Sequence, residues 1–166
     1  RTQELLFRLN QIFEAGELPR VPVFVDSPLA INITDVLRRH PECYDAEMAR
    51  ALSEDRDGDP IGFPGLRFLR TADESKTLNF MDGPAVIIAA SGMCEGGRIL
   101  HHLKNHLGQS STTVLFVGFQ AQETLGRKIL DGVDPVLVFG EPYGVRAEIT
   151  KITGYSAHAD HDELIA

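Results

Sequence analysis

The chain has 166 residues, 43% of them hydrophobic and 24% charged, with 15 Gly, 9 Pro and no Trp, which excludes disordered, collagen-like and coiled-coil classes. Lys and Arg number 16 against 24 Asp and Glu, a net charge of −8, which argues against indiscriminate binding to a polyanion. No apolar run in it approaches the 18 residues that a membrane-spanning helix needs. At this length one compact domain buries about 70% of its unfolded surface, so a single domain with a sizeable core is expected.

Leu5, Leu6, Leu9, Ile12 and Phe13 recur at helical spacing and lead to Gly16, a residue suited to a left-handed helix cap. The β-branched run Val21 to Val25 reads as a buried strand that Asp26, Ser27 and Pro28 end, with a helix following from Ile31 to Arg39. Between Glu42 and Asp59 seven acids face Arg50 and Arg56, a net of −5, so much of the acidity is concentrated in one segment. An amphipathic stretch from Ala46 to Leu52, a short strand from Leu66 to Leu69 and a helix from Ala72 to Phe80 come next. Ala85 to Ala90, the run AVIIAA, is the clearest buried strand, and Glu95 to Leu107 the helix after it. Thr113 to Val117 reads as strand, Glu123 to Leu130 as helix, and Val136 to Phe139 and Arg146 to Ile152 as strands. Alternation of Val145, Ala147 and Ile149 marks the last as a half-exposed edge. Strand and helix alternate throughout, so the expected class is α/β: a Rossmann-like, mostly parallel sheet flanked by helices, built around the runs at 21–25, 85–90 and 113–117.

Ligands of such sheets gather at the carboxyl ends of strands, which singles out the loops at Asp26 to Pro28, Ser91 to Gly97 and Gly118 to Glu123. SGMCEGGR, Ser91 to Arg98, opens a helix, so its backbone NH groups could hold a phosphate with Arg98 beside them. It is neither a Walker loop nor a G-x-G-x-x-G fingerprint, and its glycines equally suit a tight, closely packed turn. His102 and His106 are four apart, but Leu103 stands where a zincin has Glu, and solvated helix-face histidines are expected. His158, in the small-residue loop GYSAHAD, suits a metal ligand, a proton shuttle or a structural role alike. Asp26 is an acid, a base or the cap of the next turn, with Ser27 beside it as a second loop contributor. Arg127 and Lys128 read as a solvated basic face or as phosphate contacts. Cys43 and Cys94 show no C-x-x-C spacing, which fits two thiols in a reducing, cytoplasmic setting. Opening on Arg1 and stopping at Ala166 as a helical pattern starts, the sequence is expected to be part of a longer protein.

Four segments in order, RTQELL at Arg1 to Leu6, VFVDSPLA at Val23 to Ala30, ASGMCEGGRILHHLKNHL at Ala90 to Leu107, and GFQAQETLGRKI to GYSAHAD at Gly118 to Asp160, resemble one family. It is the β-CASP region of metallo-β-lactamase-fold nucleases, the group of the mRNA 3′-end cleavage subunit and ribonuclease J. The resemblance implies a β-CASP domain over 1–153 and the start of the last metallo-β-lactamase segment over 154–166. It also implies an α/β lid that closes on single-stranded RNA over two zinc ions held largely by an N-terminal metallo-β-lactamase domain of the same chain. The zinc-binding H-x-H-x-D-H motif is not in this sequence, so the part in hand is expected to be inactive and not to hold zinc by itself.

By the same resemblance His158 is a metal ligand of the family's third β-CASP motif. The expected RNA phosphate contacts are Ser91, Gly92, Arg98 and Ser156. Lys128 falls where the family commonly places the histidine that protonates the leaving group. An ordinary lysine, with a pKa of about 10.4, donates poorly near neutrality. No membrane partner is expected, a homodimer stays open, and the alternative is a Rossmann-like nucleotide or phosphometabolite binding module without hydrolase activity.

Overall fold

The computed structural model describes residues 1–54, 58–152 and 154–155. These fall into two compact units, Thr2–Ile88 and the described residues from Ala89 on together with Arg1.

The first unit is organised by its most apolar strand. Helix α1 (Thr2–Glu14) buries Leu6, Phe7, Asn10 and Phe13 and ends at Gly16, whose φ of +70° is the left-handed cap the sequence predicts. Strand β1 (Val23–Asp26) is buried at all four positions. Because side chains alternate across a strand, Val23 and Val25 pack into one cluster with Leu6, Phe7 and Phe13, while Phe24 packs into another with Leu69 and Leu78. Helix α2 (Pro28–Arg38) starts on Ser27, whose side chain accepts from the Ala30 NH, with Pro28 in the first turn. Helix α3 (Ala46–Glu54) follows, and β2 (Leu66–Phe68) pairs parallel with β1, Val23 opposite Leu66.

Helix α4 (Ala72–Thr77) carries a full capping box between Thr71 and Glu74. The helix expected to Phe80 tightens into a 3₁₀ turn over Leu78–Phe80. Strand β3 (Val86–Ala89) completes a sheet of order β2-β1-β3. It is half-buried rather than buried, since it flanks β1 instead of occupying the centre.

In the second unit α5 (Ile99–His106) begins four residues later than expected. The positive φ angles of Cys94 (60°) and Gly97 (80°) keep 91–98 out of helical geometry. Strand β4 (Thr113–Phe116) is followed by α6 (Leu125–Leu130), by a hairpin of β5 (Val136–Val138) and β6 (Glu141–Tyr143), and by β7 (Glu148–Lys151). β4 pairs parallel with β7 and β5 antiparallel with β6. Leu103, Leu107, Phe116, Leu125, Ile129, Val136 and Val138 form the core of this unit.

The α/β class with parallel pairing is as expected, but the three apolar runs do not build one sheet. The runs at 21–25 and 85–90 share a sheet, whereas 113–117 pairs with β7. Along β4 Thr113 and Leu115 are exposed and Phe116 is buried, the signature of one covered face, and apolar continuity does not encode which partner a strand takes. The strand expected at Val136 to Phe139 forms, but its hairpin partner β6 has no sequence signal, because Glu141–Tyr143 carries Pro142 and lacks a β-branched run. Among the described residues no helix is long and apolar enough to cross a membrane.

Candidate functional site

Strand β3 delivers the chain to Ala90, where the peptide to Ser91 is cis and the turn 91–98 begins. The turn is closed by its own backbone. The Ser91 NH donates to the Gly96 carbonyl (2.9 Å), the Cys94 NH to the Ser91 carbonyl (3.1 Å), and the Glu95 NH to Ser91 Oγ (3.2 Å). At Gly97 a Cβ would stand 2.3 Å from the Ala90 carbonyl oxygen, so this glycine serves close packing as well as its left-handed φ. Gly92 and Gly96 differ: nothing lies within 4 Å of the place a Cβ would take. Among the described residues no group accepts a hydrogen bond from the Gly92 or Gly96 NH.

The first-turn NH groups of α5 are engaged. Ile99 donates to the Ala90 carbonyl, Leu100 to that of Gly97, and His101 and His102 to that of Arg98. The open backbone expected at the helix end therefore lies in the preceding turn and not in the first turn of α5, with Arg98 half-buried next to it.

A second loop, 118–124, is fastened to this turn. Gln120 is 2% exposed, and its Nε2 donates to the Gly92 carbonyl (2.8 Å) and the Phe119 carbonyl (3.0 Å). Its Oε1 is buried without a hydrogen-bond donor, lying 1.9 Å from where a Cβ on Gly126 would be. The Gly126 NH donates to the Met93 carbonyl (3.0 Å), and the Leu125 NH to Glu95 Oε1 (2.6 Å). Glu95 thereby places a carboxylate on the positive end of α6, where Thr124 is the cap. Phe119 is 66% exposed, and the Arg1 guanidinium lies against Gly118. Sequence reasoning missed Gln120, Glu95 and Gly126 as a clamp, since a loop glutamine has no periodic signal and its value depends on what folds against it.

The other predicted residues are distributed as follows. Asp26 is fully buried in the first unit, where its Oδ2 accepts from Ser75 Oγ (2.6 Å). The cap of the next helix is Ser27, not Asp26, because Pro28 starts the helix and the side chain just before it reaches the first-turn NH groups. Both residues, expected as loop contributors, are buried in the first unit, at 0% and 5% exposure. Lys128 is exposed on α6, while Arg127 is engaged by Asp131 (2.8 Å), which raises its pKa. His158 and Ser156 lie outside the described residues.

His102 is a correction to the solvated-face expectation. It is 6% exposed, and its ring stacks on that of His106 with centroids 6.4 Å apart, the helix turning this face inward with Leu103 and Leu107. Burial, and then the neighbouring His102, push the His106 pKa down, against a hydrogen bond that its ring donates to Gln109. Among the described residues no three His, Cys, Asp or Glu side chains gather into a group that could hold a metal ion. The residues described here do not by themselves fit the metal centre that the resemblance implies.

The Beta-Casp domain model matches residues 2–129. The chain belongs to the Beta-Casp family. It is 36% identical over 165 residues, 99% of its own length, to a protein of Thermus thermophilus named Ribonuclease TTHA0252, of which it covers 37%. It is 32% identical over 165 residues to an RNase J-like protein of Methanocaldococcus jannaschii, covering 36% of it. To Transcription termination factor FttA of Cenarchaeum symbiosum it is 29% identical over 172 residues, covering 26%. The chain thus spans between about a quarter and somewhat over a third of the length of these curated relatives.

Proposed function

We propose that this chain is the RNA-gripping Beta-Casp part of an RNA-processing phosphodiesterase, a hydrolase of single-stranded RNA. One observation carries the proposal: the open backbone of Gly92 and Gly96 beside Arg98, in a turn whose shape is fixed by its own hydrogen bonds and by Gln120. Such a seat takes a phosphate without reading the base, which suits an enzyme that must hold many sequences. Ser91, Gly92 and Arg98 are the contacts, with Ser156 completing the set from the segment beyond β7.

The longer relatives support a partner domain in the same polypeptide, a metallo-β-lactamase domain N-terminal to residues 1–153, with 154–166 returning to it. His158 contributes one metal ligand to a centre whose other ligands lie in that domain, and zinc is the metal. Lys128, exposed on α6, neutralises phosphate charge at the position where the family resemblance puts a proton donor. Two free cysteines fit a cytoplasmic protein.

The test is Arg98→Ala in the full-length protein. Affinity for unrelated single-stranded RNA sequences should fall by a similar factor, and the slope of log affinity against log salt should shrink by about 0.7, the loss of one phosphate contact. An unchanged slope would overturn the phosphate seat.

A further inference from the structure

We infer that Phe119 is a stacking platform for one unpaired nucleobase of the strand whose phosphate sits at the Ser91–Arg98 turn. The inference rests on the phosphate reading above and adds the base to it.

The ring is 66% exposed, an unfavourable position for so apolar a group. Yet the loop that carries it is not loose. Gln120, the next residue, is buried, and its single amide joins the carbonyl of Phe119 to that of Gly92, so the aromatic and the open phosphate seat meet at one side chain. Thr124 closes the far end of the loop, donating through Oγ1 to the Ala121 carbonyl (2.7 Å) and capping α6. The backbone of Phe119 is therefore preorganised, and little conformational entropy is lost when a flat ligand settles on the ring.

Two features choose a nucleobase over an apolar protein surface. The neighbours Gln122 and Glu123 are exposed and polar, so the loop surrounds the ring in sequence with hydrophilic groups, which the apolar centre of a protein interface lacks. The Arg1 guanidinium lies against Gly118, one residue away, bringing positive charge to the same loop. An exposed aromatic on a loop that also carries a cation is what holds single-stranded nucleic acid without sequence preference, because every base has a π-face.

Other exposed aromatics lack this setting. Phe139 already packs against His101, ring centroids 4.9 Å apart and planes tilted by 43°, and Phe80 ends a 3₁₀ turn in the first unit. Among the described residues no ring or guanidinium is stacked on Phe119.

The experiment measures binding of the full-length protein to a short oligoadenylate RNA and to an abasic ribose-phosphate oligomer of equal length. Phe119→Ala should weaken oligoadenylate binding about tenfold, leave the abasic oligomer unaffected and keep the salt slope. Phe119→Leu, which keeps apolar bulk but has no π-face, should match Phe119→Ala, and Phe119→Trp should bind at least as tightly as the native protein. The inference is overturned if Phe119→Ala and Phe119→Leu bind oligoadenylate normally. Equal loss for both oligomers overturns it too, since the ring would then act on the backbone. If the unmodified protein binds oligoadenylate no better than the abasic oligomer, only the base platform fails; if it binds neither, the phosphate seat fails with it.

Discussion

Cys94 and Cys43 are the same residue type in opposite circumstances. Cys94 is 3% exposed, and burial, with some help from Glu95, pushes its thiol up to about 12, so almost no thiolate exists at neutral pH. Cys43 is exposed. A thiol reagent at pH 7.5 should label Cys43 alone in the native chain and both residues in denaturant, counted by mass spectrometry; rapid native labelling of Cys94 would contradict its burial. Glu47 gives a second prediction. Arg8 holds its carboxylate, with Gln11 assisting, and the pKa falls to about 2 from 4.5. A depressed folded-state pKa adds stability above the unfolded value that is lost as pH falls through the folded one. Glu47 should therefore still be ionised at pH 3.5, when ordinary glutamates are protonated, as its side-chain carboxyl NMR shift would report. Because the pair is solvent-exposed, Glu47→Gln should change stability only slightly.

At the scale of elements, the turn between β3 and α5 combines two kinds of glycine. Gly97→Ala must accept a left-handed φ of +80° and a Cβ 2.3 Å from a backbone oxygen. Strain and overpacking together should cost about 3 kcal/mol, read by chemical denaturation. Gly92→Ala meets nothing within 4 Å, so stability should stay within about 0.5 kcal/mol. If the phosphate seat is used, RNA affinity in the full-length protein should nevertheless drop, because a methyl group crowds the open backbone. Equal destabilisation by the two substitutions would show that packing accounts for both glycines. Helix α6 depends on the same turn, since Glu95 and the Met93 carbonyl take its first NH groups.

For the whole molecule the prediction concerns metal. In the full-length protein, His158→Ala should reduce RNA hydrolysis at least a hundredfold and lower bound metal measured by elemental analysis, with circular dichroism unchanged. Removing metal with a chelator should abolish hydrolysis, and added zinc should restore it. Full activity and full metal content in His158→Ala would remove this residue from the centre. Lys128→Ala offers a contrast, weakening RNA affinity with a modest loss of turnover if the side chain only neutralises phosphate; a hundredfold loss of turnover would mark a proton donor.

Periodicity and turn chemistry in the sequence determined most of the elements. The run at 21–25 is apolar at both parities, so it belongs at the centre of a sheet, and β1 is there. Gly16 and the abrupt Asp26-Ser27-Pro28 stop mark boundaries that local sterics enforce. The ordered segments also carried the family. What tertiary structure decided is everything that depends on a partner distant in sequence. β4 lies beside β7, across 35 residues from Thr113 to Glu148, and no local pattern encodes that choice. His102 is buried although its helix face could have been wet, because burial is a property of what covers the face. Gln120 becomes the clamp between two loops only because Gly92 arrives at its amide, 28 residues back in the chain. Hydrophobic pattern and backbone sterics act over a few residues, whereas the meeting of specific polar groups is settled only when the chain has closed on itself.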